Sequence, residues 1–366
     1  MKFRFASAWF VIFFIFLSTV SAADGGAYRV MFLGDVHYDA KEYHPDYKNS
    51  SFKRNFAMWQ GASQLLLKAA GEEAGRGNAA FVVQLGDITQ GDADTPELQE
   101  KMFRTAFAKV KKNFPDRPLL VVKGNHDVRS RTGKTDNGPA ERALLPLVAA
   151  EKGFGKLADG NYAFMQDRDL FIAVDGFVKP KTTVAFVRKT LAAHPDARYV
   201  FLMTHLPILP ADEKYPVWLQ PGYAEIAAML ETRRAVVIAA HTHRPSFTTR
   251  TTSRGSLPQL VVSSMGCDWS PDKIIPTPLT DWEKFVAAAQ KAKLRGRNLR
   301  IPKEWPKVMA LGKYTQRRDF INSGFAVLDV DDARVEARIF INASGAPAVT
   351  LRLIEGPAAK KAEAGQ

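Results

Sequence analysis

Short apolar runs alternate with longer amphipathic stretches along the first two thirds of this chain. Six runs have the β-branched and aromatic character of strands: "YRVMFLGD" (28–35), "AAFVVQLGD" (79–87), "PLLVVKGNHD" (118–127), "LFIAVDG" (170–176), "RYVFLMTH" (198–205) and "AVVIAAHTH" (235–243). Most end in Gly, Asp, Asn or His. Between them, Phe52, Phe56, Trp59 and Leu66 recur at helical spacing. So do Phe103, Phe107, Val110 and Phe114, behind Thr95 as N-cap and Pro96 at the first helical position. Strands alternating with helices predict an α/β layered domain whose polar residues collect at the strands' carboxyl ends.

The last third reads differently. "LPQLVVSSMG" (257–266), "GFAVLDVDD" (324–332), "RVEARIFIN" (334–342) and "AVTLRLIE" (348–355) alternate apolar and polar positions. They predict a second, largely antiparallel sheet with a hairpin turn at Asp331 and Asp332. The tail 356–366 has no apolar face to bury and reads as disordered.

Composition adds a destination. Lys2 and Arg4, the apolar stretch from Ala8 to Leu17 and the small residues "VSA" (20–22) have the layout of a signal peptide over residues 1–22. The expectation is an exported protein, periplasmic or secreted, with its mature chain starting near Ala23. Cys267 is the one cysteine, so no internal disulfide can form and the core alone must supply stability.

The formal charge is +13. Eleven Lys or Arg and a single acid, Glu304, fall within 284–318, so the excess is local. A capping-box pattern from Thr280 to Glu283 opens this stretch, which reads as a basic insertion at about 270–320 in a domain spanning 23–355. Such a segment suits an anionic lipid or membrane surface, a phosphate-rich substrate or a solvated face. Nucleic acid is not expected, since no nucleic-acid-binding module is present.

Candidate chemistry sits at the strand ends: Asp35 and His37 in "GDVH", Asp87 in "GD", Asn125, His126 and Asp127 in "GNHD", His205 in "MTHLP", His241 and His243 in "HTH". Five of the seven histidines fall here, leaving His44 and His194 as ordinary surface residues. In extended backbone, residues two apart point the same way, so Asp35 with His37, and His241 with His243, could each converge. Carboxylate, imidazole and amide oxygen without thiolate suit Mn, Fe, Zn, Co or Mg. Seven such ligands exceed the needs of one ion and imply two.

The ordered set D-x-H, GD, GNH[DE], H and GHxH resembles the calcineurin-like metallophosphoesterase superfamily over residues 28 to about 266. The resemblance implies a four-layer αββα sandwich with two central mixed β-sheets and the site at their edge. It implies one divalent or trivalent metal ion on Asp35, His37 and His243, another on Asn125, His205 and His241, and Asp87 between them. His126, oriented by Asp127, would face the leaving group. Arg129 could contact a substrate phosphate or belong to a solvated loop. The implied activity is metal-dependent hydrolysis of a phosphodiester or phosphomonoester by hydroxide held between two cations. The alternative is a non-catalytic anion or membrane-surface binder on the same fold. One departure stands out: the family pattern has glycine where this chain has Ala240, and the strand is expected to absorb the extra methyl.

Overall fold

The computed structural model describes residues 26–45, 59–211, 219–266, 316–319 (as backbone) and 323–355. The predicted signal peptide, Phe52, Phe56, Cys267, the capping box at Thr280, most of the basic segment and the tail lie outside them.

The elements in chain order are β1 (Tyr28–Leu33), α1 (Gln64–Arg76), β2 (Phe81–Gln84), α2 (Pro96–Lys111), β3 (Leu119–Val121), α3 (Leu145–Lys152), β4 (Tyr162–Gln166), β5 (Asp169–Val174), α4 (Pro180–Ala193), β6 (Val200–Thr204), α5 (Tyr223–Leu230), β7 (Ala235–Ala239), β8 (Ser246–Thr252), β9 (Gly255–Val261), β10 (Gln316–Asp319), β11 (Gly324–Val330), β12 (Arg334–Ile341) and β13 (Val349–Glu355). Each of the six predicted strands is present, but shorter at its carboxyl end, where the chain leaves the sheet to form the site. Helix α2 begins as its sequence demands: the Thr95 side chain accepts the Leu98 N–H at 3.3 Å and Pro96 fills the first turn.

Two mixed sheets form the centre. One has the order β13-β12-β11-β1-β2-β3, the other β10-β8-β9-β7-β6-β5-β4. In the first, β1, β2 and β3 run parallel while β11 is antiparallel to β1; in the second, β5, β6, β7 and β9 run parallel. The hairpin between β11 and β12 turns where Asp331 accepts the N–H groups of Ala333 and Arg334.

Alternation along the strands divides the cores. Leu170, Ile172 and Val174 pack with Val184, Val187 and Leu191 of α4 and Ile226 and Leu230 of α5. Phe171 and Ala173, on the opposite face of β5, join the core formed with the six-stranded sheet, α1 and α2. Helices therefore flank two face-to-face sheets, giving the αββα sandwich.

The predicted grouping of the last-third strands is corrected. They do not form a sheet of their own: β9 joins the seven-stranded sheet, whereas β11, β12 and β13 extend the sheet built on β1. Antiparallel edge strands on parallel centres give the same alternating pattern in either sheet, so pattern alone does not assign them. The predicted basic insertion lies outside the described residues except for 316–319. Its last residues enter β10, paired antiparallel to β8, before the chain crosses to β11. Among the described residues no helix is long and apolar enough to cross a membrane.

Candidate metal centre

All nine strand-end candidates come together where the parallel strands of both sheets finish. Asp35 and His37 follow β1, Asp87 follows β2, and Asn125, His126 and Asp127 follow β3; His205 follows β6, and His241 and His243 follow β7. Two groups offer metal-ligating atoms within 4.8 Å of one another: Asp35, His37, Asp87 and His243, and Asp87, His205 and His241. Asn125 Oδ1, 3.0 Å from His205 Nε2, extends the second group.

The expected extended backbone is not how these side chains converge. His37, Asp87, His241 and His243 have φ of 50°, 54°, 72° and 57°, in the left-handed region. That conformation costs a non-glycine residue roughly 1–2 kcal/mol. Hydrogen bonds hold the turns in place. Val36 and His37 donate their N–H groups to the Asp87 carbonyl, and buried Gln84 bonds both Gly34 and Gly86. Gly124 approaches Asp87 so closely that a Cβ there would lie 2.2 Å from its N and Oδ1. Glycine is thus required in "GNHD" by space rather than by φ. Ala240 keeps ordinary backbone angles, is fully buried, and donates its N–H to the His205 carbonyl at 3.1 Å. The methyl is absorbed, and the left-handed turn falls on His241 instead.

Each carboxylate spends one oxygen on the backbone and turns the other inward. Asp87 Oδ1 accepts the His126 N–H at 2.7 Å, leaving Oδ2 at 3.8 Å from His37 Nε2 and 3.4 Å from His205 Nε2. Asp35 Oδ2 accepts the His241 N–H, while buried Oδ1 has no hydrogen bond and lies 3.4 Å from His243 Nε2. Ring nitrogens also face each other, at 2.9 Å between His37 and His243 and 3.1 Å between His205 and His241. Carboxylate oxygens, an amide oxygen and imidazole lone pairs directed at common points fit cations.

The electrostatics agree. Burial pushes His37 and His241 down to about 3, keeping them in the neutral form that binds metals. Burial opposes ionisation of Asp35 and Asp87, but the neighbouring histidines outweigh it, holding Asp35 at about 2 and Asp87 well below its ordinary value. Burial likewise disfavours a charged His205, yet the charge and hydrogen bond of Asp87 carry it up to about 9. In the metal-free protein a proton on His205 thus balances Asp87.

Two roles are corrected. Asp127 does not touch the His126 ring: its Oδ2 accepts from Asp87 N and Gly124 N, and its Oδ1 from Thr89 N and Thr89 Oγ1. Adjacent residues in a tight turn point apart, and Asp127 ties the β2 and β3 loops together. The Gln90 carbonyl orients the ring, accepting Nδ1–H of His126 at 2.8 Å. His44, expected at the surface, is buried between the Asp39 carboxylate (2.7 Å) and the Asp92 carbonyl (3.1 Å).

Arg129 does lie at the site. Its guanidinium is clamped by both oxygens of Asp92, and its Nη1 is 3.4 Å from His126 Nε2. Sequence reading missed Gln84, Gln90, Asp92 and Phe177, whose ring lies 6.5 Å from that of His205. Only Gln84, a polar residue inside the apolar run "FVVQLGD", carried a signal.

The family model for the calcineurin-like phosphoesterases matches residues 28–245, and the chain belongs to that family. It is a metal-dependent phosphoric ester hydrolase by that membership. Solved structures share the fold. A dimetal phosphatase from Danio rerio is 14% identical, with TM-score 0.54 over 90% of this chain and 99% of that one. PhoD is 10% identical, with TM-score 0.52 over 90% and 70%. GAP50, the anchor in the inner membrane complex of Plasmodium, is 12% identical, with TM-score 0.51 over 90% and 89%. A search of curated proteins finds no match.

Proposed function

We propose that this chain is an exported phosphoesterase that hydrolyses a phosphodiester or phosphomonoester at a two-metal centre. Asp35, His37 and His243 would hold one ion, Asn125, His205 and His241 the other, and Asp87 both. The observation that carries this reading is the single oxygen Asp87 Oδ2, which faces both groups while its partner oxygen is held by backbone. When bound, two such cations supply Lewis acidity and an activated nucleophile for in-line displacement at phosphorus.

The chain's own residues do the rest. Donation of Nδ1–H to Gln90 leaves Nε2 as the end of His126 that can meet a substrate. Protonated there, it can hand a proton to the departing alkoxide, a contribution of typically ~10²–10⁴-fold. Arg129, fixed by Asp92, presents its guanidinium beside that nitrogen and can take a phosphoryl oxygen. Incubation with Mn, Fe, Zn or Mg and chromogenic mono- and diesters tests the activity; failure with every metal and ester would contradict it.

Metal uptake must displace the His205 proton. Affinity should therefore rise with pH until about 9, and calorimetry in buffers of different ionisation enthalpy should show release of about one proton per chain near neutral pH. A pH-independent affinity without proton release would contradict the ligand role of His205.

Export rests on the charged, apolar and small-residue layout of 1–22, and a lipid-facing role on the basic segment 284–318. An N-terminus near Ala23 in the exported protein, and salt-sensitive binding to anionic but not neutral vesicles, are the expected results. A second reading, a non-catalytic binder at a membrane surface, draws support from the anchor protein that shares this fold. Metal content separates the two: about two ions per chain favours the enzyme, none the binder.

A further inference from the structure

Lys123, two residues before Asn125, is wholly buried, as is Asp175 at the end of β5; their Nζ and Oδ2 are 2.7 Å apart. The pair joins the chain just past β3 of the six-stranded sheet to the chain just past β5 of the seven-stranded one. A buried ion pair is weak as a source of stability, since desolvation offsets most of the attraction. Its placement, and the polar groups built around it, call for another explanation.

Every oxygen of Asp175 is used. Oδ2 also accepts Gly160 N–H, Oδ1 accepts Phe177 N–H, and the carbonyl accepts Thr183 Oγ1 and Gln220 Nε2. Gln220 Oε1 in turn lies 3.0 Å from the hydroxyl of Thr204, the residue before His205, and shares its proton with the Leu206 carbonyl at 2.9 Å. On the other side Lys123 Nζ donates to Asn137 Oδ1, and Asn137 Nδ2 donates to the Phe177 carbonyl. A continuous buried chain thus runs from the backbone carrying Asn125 to the backbone carrying His205. Those two side chains meet at 3.0 Å on the far side. The network spans the chain at the ends of β3, β5 and β6, whereas Asp35 and His37 follow β1 and His243 follows β7.

We propose that the Lys123–Asp175 network is a positioning device for one of the two metal ions, the one assigned to Asn125, His205 and His241, because it sets the spacing between the strand ends that carry Asn125 and His205. The inference rests on the two-metal reading above. Outer partners that orient ligands typically change metal affinity about 10–100-fold when removed.

The test titrates Mn2+ alone into metal-free wild type, Lys123→Met, Asp175→Asn and the double variant, by calorimetry with thermal melts alongside. Each single variant leaves a buried charge unpaired and melts lower; the double variant removes both charges and recovers midpoint. The expected result is one ion bound as in wild type and the other about 10–100-fold weaker, in the double variant as in the singles. If neither single variant folds, the double variant decides alone. Second-ion affinity that recovers with the midpoint, that is unchanged throughout, or that falls equally with the first would overturn the positioning role alone. Wild type that takes up fewer than two ions would contradict the two-metal reading and this inference with it.

Discussion

Asp87→Asn should bring metal-dependent ester hydrolysis down to background while the protein stays folded. Asp87 is the one residue common to both ligand groups. Asparagine can keep the His126 N–H bond through its amide oxygen, so the loop has no reason to move. Its NH₂ then replaces Oδ2 and points donors at His37 Nε2 and His205 Nε2, where a cation needs an anion. Since Asp87 is what holds the His205 proton, the same variant should lower the His205 pKa from about 9 towards or below its ordinary value, which imidazole NMR resonances would report. Full activity in Asp87→Asn would sink the two-metal assignment.

Asp127→Ala should produce the largest loss of stability of any site substitution. Asp127 is buried, and its removal orphans three N–H groups and a hydroxyl, on Asp87, Gly124 and Thr89. Each unsatisfied buried donor costs about 1–3 kcal/mol; with partial relaxation the total should be about 4 kcal/mol. Asp127→Asn should do nearly as badly, because an NH₂ would face donors on whichever side it lies. Burial and the charge of Asp87 push Asp127 up to about 7, but four donors, and a cation beside Asp87, favour the carboxylate. Urea unfolding of the metal-free variants measures the loss. A change under 1 kcal/mol with a large fall in kcat would restore the catalytic role expected from sequence.

Much of the site was legible because its residues are tied to strand ends, and the strand interiors are marked by unbroken apolar runs such as "AVVIA" before His241. Ligand type at each strand end then named the chemistry. What was hidden depends on backbone conformation and on packing at a distance. Four site residues lie in left-handed turns that no hydrophobic pattern announces. Asp127 follows His126 in sequence but serves the neighbouring loop, and the atom that orients His126 is a main-chain carbonyl, which any residue could supply. His44 sits in the polar stretch "EYHPDY", and only folding shows that Asp39 turns it inward. Likewise β9 and β11 look alike in sequence yet belong to different sheets, since the crossing between layers is decided by which faces pack.

The most direct test of the account follows the rate of chromogenic ester hydrolysis as metal is added back to metal-free protein. Activity that rises from background and saturates at about two equivalents per chain is the predicted result. Activity already full without metal, or none at any metal loading, would contradict it.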